Sequence, residues 1–273
     1  MVVDVSSQHP EPGAPVAPDA ERWLPPGYSA AHRGGVLAGA RANLLVGLLG
    51  LLREHGTLYG WAASRGGARP LAGRGIAYAV DAPEASGERW VVRHYRRGGA
   101  VRWLGDRYLR LGRARPLAEL RASAAVRARG IHTPEVLALV IYPAGAFYRA
   151  DLATVEIPGA IDLAQALWAE HAAAGDTAAR LSALAAAAAL LRQLAEAGVA
   201  HPDLNAKNIL LTDGSAMQAH VLDLDGCRVG APLDAGARAA ARARLARSLH
   251  KWERRTGRPL AAAEWAALEE GQR

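Results

Sequence analysis

The octapeptide His201-Pro202-Asp203-Leu204-Asn205-Ala206-Lys207-Asn208 sets an aspartate five residues before an asparagine and a histidine two residues ahead of that aspartate. A short apolar run, Ile209-Leu210-Leu211, follows directly, and a second one, Val221-Leu222, opens onto Asp223-Leu224-Asp225-Gly226. The chemistry that suits this spacing is phosphoryl transfer. Asp203 can accept or orient the proton of an attacking hydroxyl. Asn208 can hold one magnesium ion, and Asp223 can bind the metal that bridges the nucleotide phosphates. His201 is expected to orient the loop rather than to react, and Asp225 is either a second acidic ligand or a cap for the next segment. An aspartate followed by an asparagine is common by chance; the whole loop, the strand behind it and a second acidic turn are not. The other histidines show no metal-ligand spacing, so no zinc site is expected.

Such a site needs three further parts: a glycine-rich cover over the phosphates, a strand cation and a helix glutamate that positions it. Gly73 and Gly75 are the candidates for the cover, although the third glycine of a G-x-G-x-x-G pattern is missing. The usual cation is a lysine, but the only lysines are Lys207 and Lys251. Arg93, in Val91-Val92-Arg93, stands where that lysine would, with Arg96 and Arg97 as neighbouring alternatives. An arginine keeps its charge and grips phosphate as a fork rather than as a point charge. Its plain alternative is a solvated strand residue. Glu119 is the natural partner for the cation; a surface pairing with Arg121 or Arg115 is the competing reading.

The elements that must hold these residues follow from periodicity and breakers. Residues 76–80 and 90–95 read as a hairpin across a turn-rich 81–87, and residues 117–129 have helical spacing. Strands are expected over 136–142 and 145–157, then helices over 162–171 and 177–197, the latter stopped by Gly198. Helices over 233–255 and 261–270 finish the chain. The predicted class is α+β, with the bilobal plan of protein kinases: a β-rich N-lobe with one main helix and a mostly helical C-lobe. Three segments are expected, namely a disordered leader over 1–26, a preceding helix and nucleotide-binding lobe over 27–157, and a helical lobe with the catalytic loop over 158–273.

The chain has 273 residues and a net charge of +7, with 33 lysines and arginines against 26 acidic residues. Arginine and alanine excess reads first as genome composition, and only local clusters such as Arg93, Arg96, Arg97, Arg102 and Arg107 invite a functional reading. The single cysteine, Cys227, excludes an internal disulfide and fits a reducing compartment. Residues 1–26 carry acids and prolines and no apolar core, so no signal peptide is expected. The most apolar run, 44–52, is too short to span a bilayer; it reads as a buried helix, with an interfacial helix as the sharper alternative.

With these residues in place, the chain resembles the 3-deoxy-D-manno-octulosonic acid (Kdo) kinase family of Gram-negative lipopolysaccharide synthesis. Gly73-Arg74-Gly75 with Val92-Arg93-His94-Tyr95-Arg96-Arg97-Gly98-Gly99 is similar to that family's R-H-Y-x-R-G-G signature. Tyr148-Arg149-Ala150-Asp151-Leu152 resembles its Y-R-A-D-L strand, and residues 203–211 with 222–225 resemble its D-L-N-A-x-N-I-L loop and I-D-F-D turn. Leu224 departs from the phenylalanine of that turn. The resemblance covers roughly residues 60–270. It implies ATP-dependent phosphorylation, with Mg2+, of the 4-hydroxyl of Kdo on a lipid A precursor. It also implies peripheral work at the cytoplasmic face of the inner membrane, with no nucleic-acid partner.

The alternatives in the same reaction class are a heptose kinase or an aminoglycoside-type small-molecule kinase. A different class is a non-catalytic kinase-like binding protein, favoured by the missing lysine and opposed by the intact Asp203, Asn208 and Asp223.

Overall fold

A computed structural model describes residues 2–4, 20–72, 75–83, 87–96, 105–110, 114–169, 177–213 and 217–270. The chain divides into two compact units, one of residues 1–124 with 135–156 and the other of residues 125–134 with 157–273.

The first unit is built on a nine-stranded sheet. Its strands are β1 (Val2–Asp4), β2 (Tyr28–Arg33), β3 (Val36–Arg41), β4 (Arg69–Ala72), β5 (Ile76–Asp81), β6 (Arg89–His94), β7 (Tyr108–Leu109), β8 (Val136–Ala144) and β9 (Phe147–Val155). They lie in the order β1-β2-β3-β8-β9-β6-β5-β4, with β7 also pairing with β9, and only β1 and β2 run parallel. Helices α1 (Leu45–His55) and α2 (Leu58–Ser64) share a core with one face of the sheet, and α3 (Arg115–Arg127) with the other.

Both faces being covered, β8 is buried from Val136 to Tyr142 and reads as a continuous apolar run instead of an alternating one. Trp61, Trp90, Val92 and Ala153 fill the α1/α2 side; Tyr95, Leu117, Leu120 and Leu152 fill the α3 side. The apolar run 44–52 is the buried face of α1: Leu45, Leu48 and Leu51 point into the core and Val46 is 82% exposed.

The hairpin β2–β3 and the helix α2 were not expected from the sequence. Alanine-rich strands carry little β-branched signal, but Gly34-Gly35 marks the turn. Both glycines have positive φ, 54° and 79°, and Arg33 pairs with Val36 across them. That is the two-residue turn whose twist matches a hairpin, and it needs residues free to take positive φ. The folded unit also starts earlier than residue 27. Ala20–Trp23 forms a helical turn with Ala20 buried, and Val2–Asp4 gains order by parallel pairing with β2. The remaining leader, residues 5–19, lies outside the described residues.

The second unit contains β10 (Ile161–Asp162), α4 (Leu163–Trp168), α5 (Thr177–Glu196), β11 (Val199–Ala200), β12 (Ile209–Thr212), β13 (Gln218–Val221), β14 (Arg228–Val229), α6 (Ala235–Thr256) and α7 (Ala262–Glu270). By length and composition α5 could cross a membrane, but here it is a core helix, with Leu184, Leu190, Leu191 and Leu194 buried. Strands β12 and β13 form an antiparallel hairpin beside β10, and β11 pairs with β14. These two small sheets hold the ends of the loop from His201 to Asn208.

Candidate active site

In the second unit, β11 leads into the loop and β12 leaves it. Register pairs Ile209 with Val221, so Asn208 and Leu222 lie one residue beyond the last rung, and the Leu222 N–H donates to the Asn208 carbonyl at 2.9 Å. The hairpin therefore delivers Asp223 beside the asparagine of the loop. The asparagine closes the loop on itself: Nδ2 of Asn208 donates to the Asp203 carbonyl at 2.8 Å, and Nδ2 of Asn205 donates to the same oxygen at 2.9 Å. Oδ1 of Asn205 accepts the Lys207 N–H at 2.9 Å, capping the short helical turn Ala206–Asn208.

His201 is buried under this loop. Nδ1 accepts the Asp203 N–H at 3.2 Å and Nε2 lies 2.8 Å from the Leu222 carbonyl. One ring nitrogen must accept and the other donate, so the imidazole is neutral. Burial agrees, pushing its pKa below the ordinary histidine value against the pull of the Leu222 carbonyl and of Asp223 and Asp203. The histidine thus ties the loop carrying Asp203 to the segment carrying Asp223. Asp223 itself has φ 61°, the only non-glycine residue with positive φ among the described residues. Such backbone is costly for a side-chain-bearing residue and recurs at functional sites.

Asp203, Asn208 and Asp223 are brought together by one loop and one hairpin. With Nδ2 of Asn208 engaged, its Oδ1 remains as the atom that can meet a cation. A carboxylate and an amide oxygen are hard donors, and two such groups with phosphates suit Mg2+ better than a full protein cage would. No group of three or more acidic, histidine or cysteine side chains that could hold a metal ion occurs among the described residues.

Lys207, which the sequence left without a role, pairs with Asp162 at 2.6 Å. Asp162 in turn caps α4 in a reciprocal box with Gln165. Ala206 is fully buried and its N–H donates to Oγ of Ser248 on α6 at 3.1 Å.

In the first unit, strand alternation sorts the Arg93-His94-Tyr95 run. Arg93 and Tyr95 face α3, where Glu119 is buried. Nη2 of Arg93 lies 2.5 Å from the Glu119 carboxylate, the Tyr95 hydroxyl donates to the same carboxylate, and the Arg93 guanidinium sits over the Tyr95 ring at 4.6 Å. Glu119 therefore pairs with the strand cation. Arg121 instead reaches the Arg22 carbonyl and the Trp23 ring, and Arg115 lies over Tyr108.

His94 points to the other face. Its Nδ1 meets Asp151 at 2.6 Å and its Nε2 meets Asp106 at 3.0 Å, so two carboxylates ask both nitrogens to donate. Burial pulls the His94 pKa down, but Asp151 and then Asp106 outweigh it and hold it above the ordinary value. Asp151 is 1% exposed and accepts further hydrogen bonds from the Tyr142 hydroxyl at 2.8 Å and the Tyr59 N–H at 2.9 Å. The Leu58 N–H donates to the Tyr142 oxygen at 2.9 Å, so this network also anchors the first turn of α2. His94 and Asp151 are direct partners in the β6–β9 register. Gly75 approaches the Arg96 side chain, at 3.2 Å from where a Cβ would stand. Gly73, Arg97 and Arg102 lie outside the described residues.

An α+β chain with a glutamate-held cation under a β-sheet and an Asp203/Asn208/Asp223 loop has the plan of a protein-kinase-like phosphotransferase. The sequence model of the lipopolysaccharide kinase (Kdo/WaaP) family matches residues 61–271, and the chain belongs to that family. A 3-deoxy-D-manno-octulosonic acid kinase of Stenotrophomonas maltophilia (strain R551-3) is 37% identical over 164 residues, covering 58% of this chain and 60% of that protein. One of Actinobacillus succinogenes is 31% identical over 204 residues, covering 73% of this chain and 81% of that protein. Against one of Xanthomonas oryzae pv. oryzae (strain PXO99A) the identity is 39%, over 54% of this chain and 57% of that protein. The chain thus spans about three-fifths of the length of the Stenotrophomonas and Xanthomonas relatives. A solved structure of WaaP in complex with acyl carrier protein superposes with a TM-score of 0.49 and 16% identity, covering 81% of this chain and 85% of that one.

Proposed function

We propose that this protein transfers the γ-phosphoryl group of ATP to the 4-hydroxyl of a Kdo residue on a lipid A precursor. In this reading it works peripherally at the cytoplasmic face of the inner membrane of a Gram-negative bacterium. The observation that carries the reading is the closed loop of the second unit, in which Asn208 and His201 hold Asp203 and the Asp223 segment as one piece. Family membership and relatives named 3-deoxy-D-manno-octulosonic acid kinases support Kdo as the acceptor.

Asp203 takes or orients the proton of the acceptor hydroxyl. Arg93, held by Glu119 and Tyr95, is the cation for the nucleotide phosphates, with Gly73 and Gly75 as the candidates for their cover. Asn208 Oδ1 and the Asp223 carboxylate would hold Mg2+, which when bound neutralises charge on the transferring phosphates. Most of the rate in such a site comes from positioning and charge compensation.

Purified protein with ATP, Mg2+ and Kdo-bearing lipid A precursor is expected to incorporate phosphate, and Asp203→Ala to lower turnover by about 100-fold or more. Turnover near the parent's in that variant, or a preference for heptose or aminoglycoside acceptors in a parallel panel, would overturn the assignment.

A further inference from the structure

The net charge of the chain is not spread over it. Helix α6 holds seven arginines and lysines against one glutamate, a net +6, whereas the whole chain of 273 residues carries +7. Residues 89–115 carry a further excess, nine arginines against Asp106, but among the described helices and strands none besides α6 exceeds a net +2.

The excess is also sided. Leu245 and Leu249 are buried, and Trp252 and Thr256 continue that inner face at helical spacing. Arg247, Lys251 and Arg254 repeat the same spacing two positions later, which on a helix is the opposite side, and all three are exposed. None of the three has an ion-pair partner among the described residues. The lone glutamate, Glu253, is occupied by His250 and the Leu260 N–H. Arg255 flanks the stripe with its guanidinium over the Trp252 ring at 4.9 Å.

We propose that this outward face of α6 is a docking surface for a bilayer containing anionic lipid. A straight cationic stripe on a helix of 22 residues can lie flat on a headgroup layer, whose negative potential attracts basic side chains. The same face offers no asparagine, glutamine or aromatic ring to read or stack on bases, because Trp252 is half-buried and stacked on Trp168. The purpose of the surface rests on the proposed reaction. Ser248 of α6 accepts the Ala206 N–H, and Lys207 lies 6.0 Å from the Trp252 ring, so a docked α6 carries the catalytic loop to a lipid-borne acceptor.

The test uses the full chain and flotation with vesicles of phosphatidylcholine alone or mixed equally with phosphatidylglycerol, neither holding any Kdo lipid. Binding is expected only to the anionic vesicles and is expected to fade as salt rises. The triple variant R247Q/K251Q/R254Q, whose substitutions keep helix propensity, should bind roughly fivefold more weakly per lost cation, on the order of 100-fold in all. A control variant, R33Q/R53Q/R228Q, removes exposed arginines elsewhere and should stay within about threefold of the parent. The surface is refuted if the α6 variant binds as the parent does, if the control loses as much, or if a duplex oligonucleotide binds the same three residues more tightly than the vesicles. The outcome is separable from the reaction. A parent that docks but phosphorylates nothing counts against the kinase reading alone, and a non-docking parent active on detergent-dispersed acceptor counts against the surface alone.

Discussion

At the scale of single residues, the substitution of arginine for lysine on β6 comes with its own supports. A lysine would offer Glu119 a point charge, whereas the Arg93 guanidinium also sits over the ring of Tyr95, whose hydroxyl donates to the same carboxylate. Glu119 on α3 and Tyr95 just past the end of β6 thus fix the direction of the guanidinium, which an ammonium on a flexible stem would need less. Two substitutions separate these contributions. Arg93→Lys keeps the charge and loses the ring contact, and should raise KM for ATP about fivefold. Glu119→Gln replaces with a donor one oxygen of a buried carboxylate that accepts from Nη2 of Arg93 at both oxygens and from the Tyr95 hydroxyl, and should lower kcat/KM for ATP by about 10–100-fold. In both variants KM for the acceptor should stay near that of the parent. If steady-state kinetics showed the acceptor KM moving and the ATP KM still, the pair would be serving some other part of the site.

At the scale of elements, the loop and most helices were readable because their signals are local. The H-x-D-L-x-x-x-N spacing, the two acidic turns, the 3.6-residue period of α3 and the glycine after α5 each lie within a few residues of what they specify. The His94–Asp151 contact was not readable: its partners lie 57 residues apart and meet only through the β6–β9 register. The Tyr148–Leu152 and Arg93–Tyr95 segments were noticed as signatures, and the fold shows that they are two sides of one strand pair. Gly198 illustrates how a local signal can understate its element. The sequence marks it as a helix stop, and its φ of 69° agrees. A Cβ there would also stand 2.2 Å from the Gly230 carbonyl oxygen and 2.4 Å from that of Ala231. Those are backbone atoms of the two residues that follow β14, whose partner β11 leads directly into His201, and they cannot rotate away. Gly198→Ala should therefore lower the melting temperature by roughly 5 °C or more and reduce phosphoryl transfer further than Tm alone accounts for. A variant that melts with the parent would mean that the β11–β14 pair yields, and that it does not set the loop.

At the scale of the whole molecule, the titrating groups divide between the two units with opposite sense. In the first unit the folded pKa of His94 stands above its unfolded value of about 6.5. Its contribution to stability is complete below that value and is lost as pH rises through the folded pKa. Tyr142 acts in the same direction at higher pH, because burial and then Asp151 hold its phenol neutral. In the second unit burial holds His201 and His220 below the ordinary value, the latter with help from His132. Their contribution is complete above about 6.5 and is lost as pH falls from there toward the folded pKa. Glu264, held low first by Arg180, extends that loss to more acid pH. Hydrogen exchange followed by segment should then show β6 and β9 losing protection, after correction for intrinsic rates, as pH is raised from about 6.5, while α5 and β12 lose theirs as pH is lowered from it. His94→Gln should flatten the alkaline loss in β6 and β9 and leave the acid loss in α5 unchanged. Parallel pH profiles for the two sets of segments, or an alkaline loss that survives His94→Gln, would show that the carboxylate-bound imidazolium is not what couples the first unit to pH.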